Sequence, residues 1–252
     1  MRITVLGKSP AWQDAGGACS GYLVEGGRAR VLLDCGPGVF AKLREVVDYL
    51  EVDAVVISHL HADHVLDLIP YASALTYGPH RQKTPRMFAP PGARETFRRL
   101  CAAAGMREEH IERAFAYEEY DPAAGVELDG LQCRFQPVPH YLPTHAIEFA
   151  ANGARITYSA DSSPSDDLCL FAYCTDLLLI EATLLQPESE GLRGHLTPGE
   201  AGQHGQRARA RRLVITHMSD ELDADWVRAE AEKAFGGPVD LAHEGAVYRL
   251  DG

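Results

Sequence analysis

The chain has 252 residues, 46% of them apolar and 24% charged, with a formal net charge of −12. That length and balance can bury a sizeable core and exclude a disordered or low-complexity chain. An acidic average surface argues against gripping a polyanion through many phosphate contacts. Strand patterns open the chain at residues 2–6, 21–25 and 29–34, the last two joined by a Gly26-Gly27 hairpin turn. A helix is expected at 39–49, a β-branched strand at 52–58 and a second helix at 65–77. A strand at 86–89 and helices at 93–104 and 108–114 follow. Strands at 131–138 and 146–151 lead through the Asn152-Gly153 turn into 155–159. Strands at 176–181, 212–216, 239–242 and 246–250 and helices at 198–210 and 224–235 complete the set. The alternation predicts an α/β domain over residues 1–252, two sheets facing each other with helices outside. No apolar run is long enough to span a bilayer, and the first residues read as a strand rather than a signal peptide. Six cysteines without a CxxC pair read as reduced thiols, so a cytoplasmic enzyme is expected.

The run His59-Leu60-His61-Ala62-Asp63-His64 stands where a predicted strand ends and a helix begins. Imidazole nitrogens and carboxylates are favoured ligands of zinc and similar ions. His59 and His61, two apart, can share one face of the loop, while Asp63 and His64 can turn toward a second point. The spacing reads as a metal site. Further along, His140, Asp161, Glu181, His217 and His243 each follow a predicted strand. Open α/β sheets gather their sites at the carboxyl ends of strands, so these groups predict one shared rim.

In order and spacing, HLHADH, the isolated His140, Asp161 in Tyr158-Ser159-Ala160-Asp161-Ser162 and His217 in Ile215-Thr216-His217 resemble the metallo-β-lactamase superfamily. The resemblance runs over essentially the whole chain and includes Asp34, at a position that superfamily uses to support the metal loop. It implies an αββα sandwich of two mixed sheets with two divalent ions at one edge, zinc first, manganese or iron as alternatives. His59, His61 and His140 would hold one ion, Asp63, His64 and His217 the other, and Asp161 would bridge them. Two such ions can turn a shared water into hydroxide near neutral pH. The net charge of about +1 left by that assembly suits a phosphodiester monoanion, and Asp63 counts among the catalytic residues in this reading.

Ile180-Glu181-Ala182-Thr183 and Gly194-His195-Leu196-Thr197 resemble the Glu-Ala-Thr and His-x-Thr elements of ribonuclease Z and related phosphodiesterases. There the histidine protonates the leaving alkoxide and the glutamate orients it, which implies a general acid in His195 and an orienting Glu181. A carboxylate partner raises imidazole basicity and fixes its ring. Thr197 and Glu200 also read as a capping box opening a helix. Two departures stand out. A hairpin fills the interval between His140 and Asp161, where ribonuclease Z inserts the basic arm that grips transfer RNA, and Ile180 replaces the usual histidine before Glu-Ala-Thr. The chain is more similar to the small armless bacterial members, among them the atypical class II cyclic nucleotide phosphodiesterases. The expected function is a dinuclear metal-dependent hydrolase of a small anionic phosphodiester such as a cyclic nucleotide. The alternatives are transfer-RNA 3′ processing, lactone or carboxylic-ester hydrolysis, and metal binding without catalysis. A homodimer is implied by the relatives alone, and no membrane partner is expected.

Arg207, Arg209, Arg211 and Arg212 form the one concentrated basic stretch. It reads as a helix end whose arginines complement the dipole, with an RNA-binding patch as the alternative. His80 and His110 read as solvated surface, His204 as structural or exposed, and His145 and His243 as candidates for a pocket wall. Tyr71, Tyr77 and Tyr141 flank the metal loops, where each packs in the core or lines a pocket.

Overall fold

The computed structural model describes residues 1–79 and 83–251; His80 therefore lies outside the described residues. The first half of the chain lays down β1 (Arg2–Gly7), β2 (Gly21–Gly26), β3 (Ala29–Leu33), β4 (Ala54–Val56), β5 (Arg86–Ala89) and β6 (Ala116–Glu119). The second half gives β7 (Val126–Leu128), β8 (Leu131–Val138), β9 (Thr144–Ala151), β10 (Ala154–Tyr158), β11 (Leu177–Glu181), β12 (Leu213–Thr216) and β13 (Val239–Leu241). A last strand, β14 (Val247–Arg249), returns to the first sheet beside β1. The sheets run β14-β1-β2-β3-β4-β5-β6 and β13-β12-β11-β10-β9-β8-β7. Each is mixed: strands consecutive in the chain make its antiparallel pairs, apart from β14 beside β1, and crossover helices make β3 to β6 and β10 to β13 parallel.

Period-two alternation decides what each face buries. Val31, Leu33, Val56 and Phe88 from the first sheet meet Phe149, Ile156, Leu177 and Leu179 from the second in the layer between the sheets. The alternate residues Leu32, Val55 and Ile57 face out under α1 (Val39–Val46), α3 (Leu68–Tyr77), α4 (Ala93–Ala103) and α5 (His110–Ala114). On the far side, Leu178, Ile180, Leu213 and Ile215 are covered by α6 (Asp166–Phe171), α7 (Pro198–Arg207) and α8 (Ala224–Phe235). The unbroken apolar run Leu177-Leu178-Leu179-Ile180 follows from burial on both faces, as parallel strands under helices require. All six cysteines are free thiols, five of them buried. No helix among the described residues is long and apolar enough to cross a membrane.

The parallel registers point the carboxyl ends of β3, β4, β10, β11 and β12 toward one edge, and β8 ends there as well. Asp34, His59, Asp161, Glu181, His217 and His140 sit just there. Three non-glycine residues at this edge have left-handed backbones: Asp34 (φ 56°), Ala160 (φ 52°) and His217 (φ 51°). Each such residue costs about 1–3 kcal/mol, and such strain concentrates at functional sites.

Candidate metal centre

The HLHADH run does not form a plain loop. The helix expected at 65–77 divides into a single turn, α2 (Ala62–Val65), and α3, so Asp63 and His64 lie within that first turn. His59 and His61 stay in the extended approach. The chain thereby splits into two donor groups. His59, His61, His140 and Asp161 offer one set of ligand atoms, and Asp63, His64, Asp161 and His217 offer the other, all within 4.8 Å of one another in each set. In the first set His61 Nδ1 lies 3.2 Å from His59 Nε2 and 3.0 Å from His140 Nε2, and Asp161 Oδ2 is 3.6 Å from His59 Nε2. In the second, Asp63 Oδ2 is 3.2 Å from His217 Nε2 and 3.5 Å from His64 Nε2, and Asp161 Oδ1 is 3.4 Å from His64 Nε2. A tetrahedral shell with spokes of about 2.0–2.1 Å has edges of roughly 3.3 Å, so these separations fit metal ligation.

The rear side of each ring decides which nitrogen faces inward. Ser58 Oγ donates to Asp34 Oδ2 (2.8 Å) and accepts from His59 Nδ1 (3.0 Å). His64 Nδ1 donates to Asp34 Oδ2 at 2.8 Å, and His140 Nδ1 to the Gly194 carbonyl at 2.7 Å. His217 Nδ1 donates to Thr183 Oγ1 (2.8 Å), which in turn donates to Glu181 Oε2 (2.8 Å). In these four histidines the proton is committed at Nδ1, so the Nε2 lone pairs converge on one space. His64 Nε2 and Asp161 Oδ1 are buried without any hydrogen-bond partner. Buried polar atoms rarely go unpaired, and these two point to cations as the missing partners.

Protonation is shaped to match. Burial pushes the pKa values of His59, His61 and His140 down, well down for His59. Burial opposes ionisation of Asp161, but the charges of His217, His64 and His59 outweigh it and hold the carboxyl well below its usual range. For Asp63, likewise, burial is outweighed by hydrogen bonds from His217 and His64. Burial disfavours the His64 imidazolium, yet Asp161 and Asp34 hold its pKa well above the ordinary value. A bound cation would take over that proton's role, so metal uptake releases it.

Beside both groups stands His195. Its Nδ1 lies 2.9 Å from Glu181 Oε1, and its ring centroid is 5.0 Å from that of His140 and 5.7 Å from that of His217. Glu181 is fully buried and also accepts from the Ser162 amide and from the Thr183 amide and hydroxyl. Burial works against a charged His195, but the hydrogen bond and charge of Glu181 outweigh it and push the pKa up to about 9. Thr197 and Glu200 form the expected capping box at the start of α7.

The remaining sequence candidates separate. Tyr71 is wholly buried in the core. Tyr77 is exposed and stacks on His110, away from the centre. Tyr141 is 45% exposed, with its ring 4.8 Å from that of His140 and 5.6 Å from that of His195. His110, read as solvated surface, is in fact buried, bonded through Nε2 to Ser73 Oγ at 3.0 Å, because α5 folds back on α3. His145 is buried against the Tyr120 hydroxyl (3.1 Å), and His243 is exposed. His204 is a buried structural residue of α7. Arg207, Arg211 and Arg212 pair with Asp166, Asp176 and Asp240, each at 2.7 Å, and Arg209 lies over the Tyr173 ring. Sequence reasoning missed Ser58 and the Gly194 carbonyl as rear partners. Their adjacency to HLHADH and to His195 was the available signal.

Two seven-stranded sheets packed face to face, with this donor set at one edge, define the metallo-β-lactamase class of fold. The Beta-lactamase superfamily domain matches residues 29–218, and the chain belongs to that superfamily, in its ribonuclease Z-like branch. The probable metallo-hydrolase YhfI of Bacillus subtilis is 30% identical over 251 residues, covering 98% of this chain and 99% of that protein. Its crystal structure superposes with a TM-score of 0.87 at 28% identity, over 98% of each chain. Ribonuclease Z of Myxococcus xanthus is 27% identical over 304 residues, 99% of this chain and 98% of its own length. A diphosphatase of the PhnP family shares the fold, with a TM-score of 0.75 at 20% identity over 99% of this chain and 98% of its own. The protein is a metallo-hydrolase of the β-lactamase fold.

Proposed function

We propose that the protein is a phosphodiesterase using two divalent ions, zinc first among them, on a small diester such as a cyclic nucleotide. His59, His61, His140 and Asp161 hold one ion, and Asp63, His64, His217 and Asp161 hold the other. When bound, the ions supply an activated water as nucleophile and positive charge against the phosphoryl oxygens. His195 gives its proton to the departing oxygen, because Glu181 occupies Nδ1 and leaves Nε2 free to face the site. Glu181 keeps that imidazole protonated and fixes its plane. Tyr141 stands beside both rings as an exposed wall on which a planar base can stack.

The His195–Glu181 pair at the rim of both donor groups carries this reading, since it offers a proton to the alkoxide that leaves a phosphodiester. A small substrate is favoured over RNA by the net charge of −12 and by the aspartates that occupy Arg207, Arg211 and Arg212. The ribonuclease and diphosphatase names among the relatives agree with phosphorus chemistry. The test is His195→Ala in metal-replete protein. Turnover of a cyclic nucleotide should fall on the order of 10²–10⁴-fold, while a nitrophenyl diester, whose leaving group needs no proton, suffers far less. Equal losses on the two would refute the role of His195, and a metal-replete parent inert toward every diester would refute the activity.

A further inference from the structure

The segment joining β11 to α7, residues 182–197, has no regular secondary structure, yet it carries His195. Ala182 and Leu196 tie its two ends into the core, but Leu185 and Leu192 between them are 58% and 66% exposed and leave the middle without an apolar anchor. One backbone bond, from the Leu184 amide to the Leu196 carbonyl (3.0 Å), closes its base. Within it, Glu188 Oε2 accepts from the Gly194 amide at 2.8 Å and from the His195 amide at 3.4 Å. The other carboxylate oxygen accepts from the Tyr141 hydroxyl, in the residue after His140. The Tyr141 ring lies so close to Gly194 that an added Cβ would come within 2.3 Å of it. The carbonyl of the Gly194–His195 peptide accepts from His140 Nδ1. That single peptide is thus held at its N–H by Glu188 and at its C=O by a histidine of the metal group. Among the described residues no lysine or arginine forms a salt bridge with Glu188, so its charge serves these three donors. Hydrogen bonds to an ionised acceptor are roughly twice as strong as neutral ones.

We propose that Glu188 is a positioning residue for His195, clasping the Gly194 and His195 amides and the Tyr141 hydroxyl so that the imidazole meets the leaving oxygen in one orientation. The proposal rests on the reading of His195 as proton donor. Glu188 touches neither substrate nor metal ligand atoms in this role; it ties the proton donor's loop to the loop of His140. A misplacement of about 1 Å at a reacting group can cost on the order of 10²-fold in rate, which sets the scale of the effect.

The test compares Glu188→Ala, Glu188→Gln and His195→Ala with the parent. Amide hydrogen exchange at Gly194 and His195 is read in the metal-free protein, and kcat and KM are read in the metal-replete protein. Two diesters are used, one with an alkyl and one with a nitrophenyl leaving group. Glu188→Ala should speed exchange at the two amides by at least about tenfold and lower kcat on the alkyl diester on the order of 10–100-fold. KM should hold and the nitrophenyl diester should lose much less. Glu188→Gln, which keeps an accepting oxygen, should fall between. Unchanged exchange, or equal loss on both diesters in Glu188→Ala, overturns the assignment. Loss in His195→Ala without any leaving-group preference sinks the proton-donor reading itself. A selective loss there, with Glu188→Ala behaving as the parent, sinks only the role of Glu188.

Discussion

Replacing Asp34 by asparagine should weaken metal binding and the metal-free fold by similar amounts. Asp34 Oδ1 accepts from the Ser58 amide at 2.8 Å. Its Oδ2 accepts from Ser58 Oγ (2.8 Å), His64 Nδ1 (2.8 Å) and the Tyr158 hydroxyl (3.3 Å), in a wholly buried setting. Asparagine keeps the shape, and it tolerates the left-handed backbone at φ 56° better than most residues. Its amide oxygen can still take the Ser58 N–H, but the NH2 then replaces an acceptor with a donor. The two hydroxyls can rotate to accept; an imidazole cannot. His64 must instead move its proton from Nδ1 to Nε2, the atom that is buried, unpartnered and aimed at the cluster. A protonated Nε2 does not ligate. Losing such a rear partner typically costs about 10–100-fold in metal affinity, or roughly 1.4–2.7 kcal/mol. Metal-free stability should fall by about 1.5–3 kcal/mol, the worth of one charge-assisted bond. Asp34→Ala should lose more stability, because several buried donors are then left unpaired at about 1–3 kcal/mol each. Competition with a chelator gives the affinity, and urea unfolding of the metal-free protein gives the stability. An asparagine variant that binds metal within about twofold of the parent (against the 10–100-fold expected) would show that Asp34 does not set the His64 tautomer.

Gly36→Ala should lower both stability and metal affinity, since its Cβ would lie 1.8 Å from the Asp63 carbonyl oxygen and must push α2 outward. Overpacking of this kind costs about 1–3 kcal/mol; thermal unfolding with and without metal checks it, and an unchanged midpoint would contradict the close approach. His204 predicts an acid-side effect. Its Nδ1 donates to the Glu200 carbonyl (2.7 Å), and its Nε2 accepts from the Ser165 amide (3.0 Å), which only the neutral ring can do. Burial lowers its folded pKa, so below about pH 6.5 the unfolded chain binds a proton that the folded one refuses. The His204 contribution to stability is therefore present above that pH and lost as the pH falls through the folded pKa. His204→Gln should flatten the decline in stability between about pH 7 and pH 5 relative to the parent, both measured metal-free by urea unfolding. A parallel decline in the two proteins would contradict it.

Much of the architecture is local and was legible. β-Branched and leucine-rich runs, the Asn152-Gly153 turn and the capping box at Thr197 place their elements through short-range chemistry. Elements with weak local signatures escaped. Ala116–Glu119 (β6) is an edge strand of mixed exposure, Val126–Leu128 (β7) is three residues long, and Asp166–Phe171 (α6) is under two turns. These form because a neighbouring sheet edge or face is already present to receive them. His110 shows the same limit, since nothing in its own segment announces that α3 will cover it.

Within this protein the residue types alone decided the donor chemistry, the two-layer sheet pattern and the acidic balance that disfavours a polyanion. Those properties depend on side-chain identity and on periodicities of a few residues. Only the tertiary structure decided that His59, His64, His140 and His217 turn Nε2 inward, that Asp161 serves both donor groups, and that Glu188 clasps the His195 peptide. A ring's tautomer and direction depend on partners far away in the chain, and those partners meet only once both sheets have closed on their shared core.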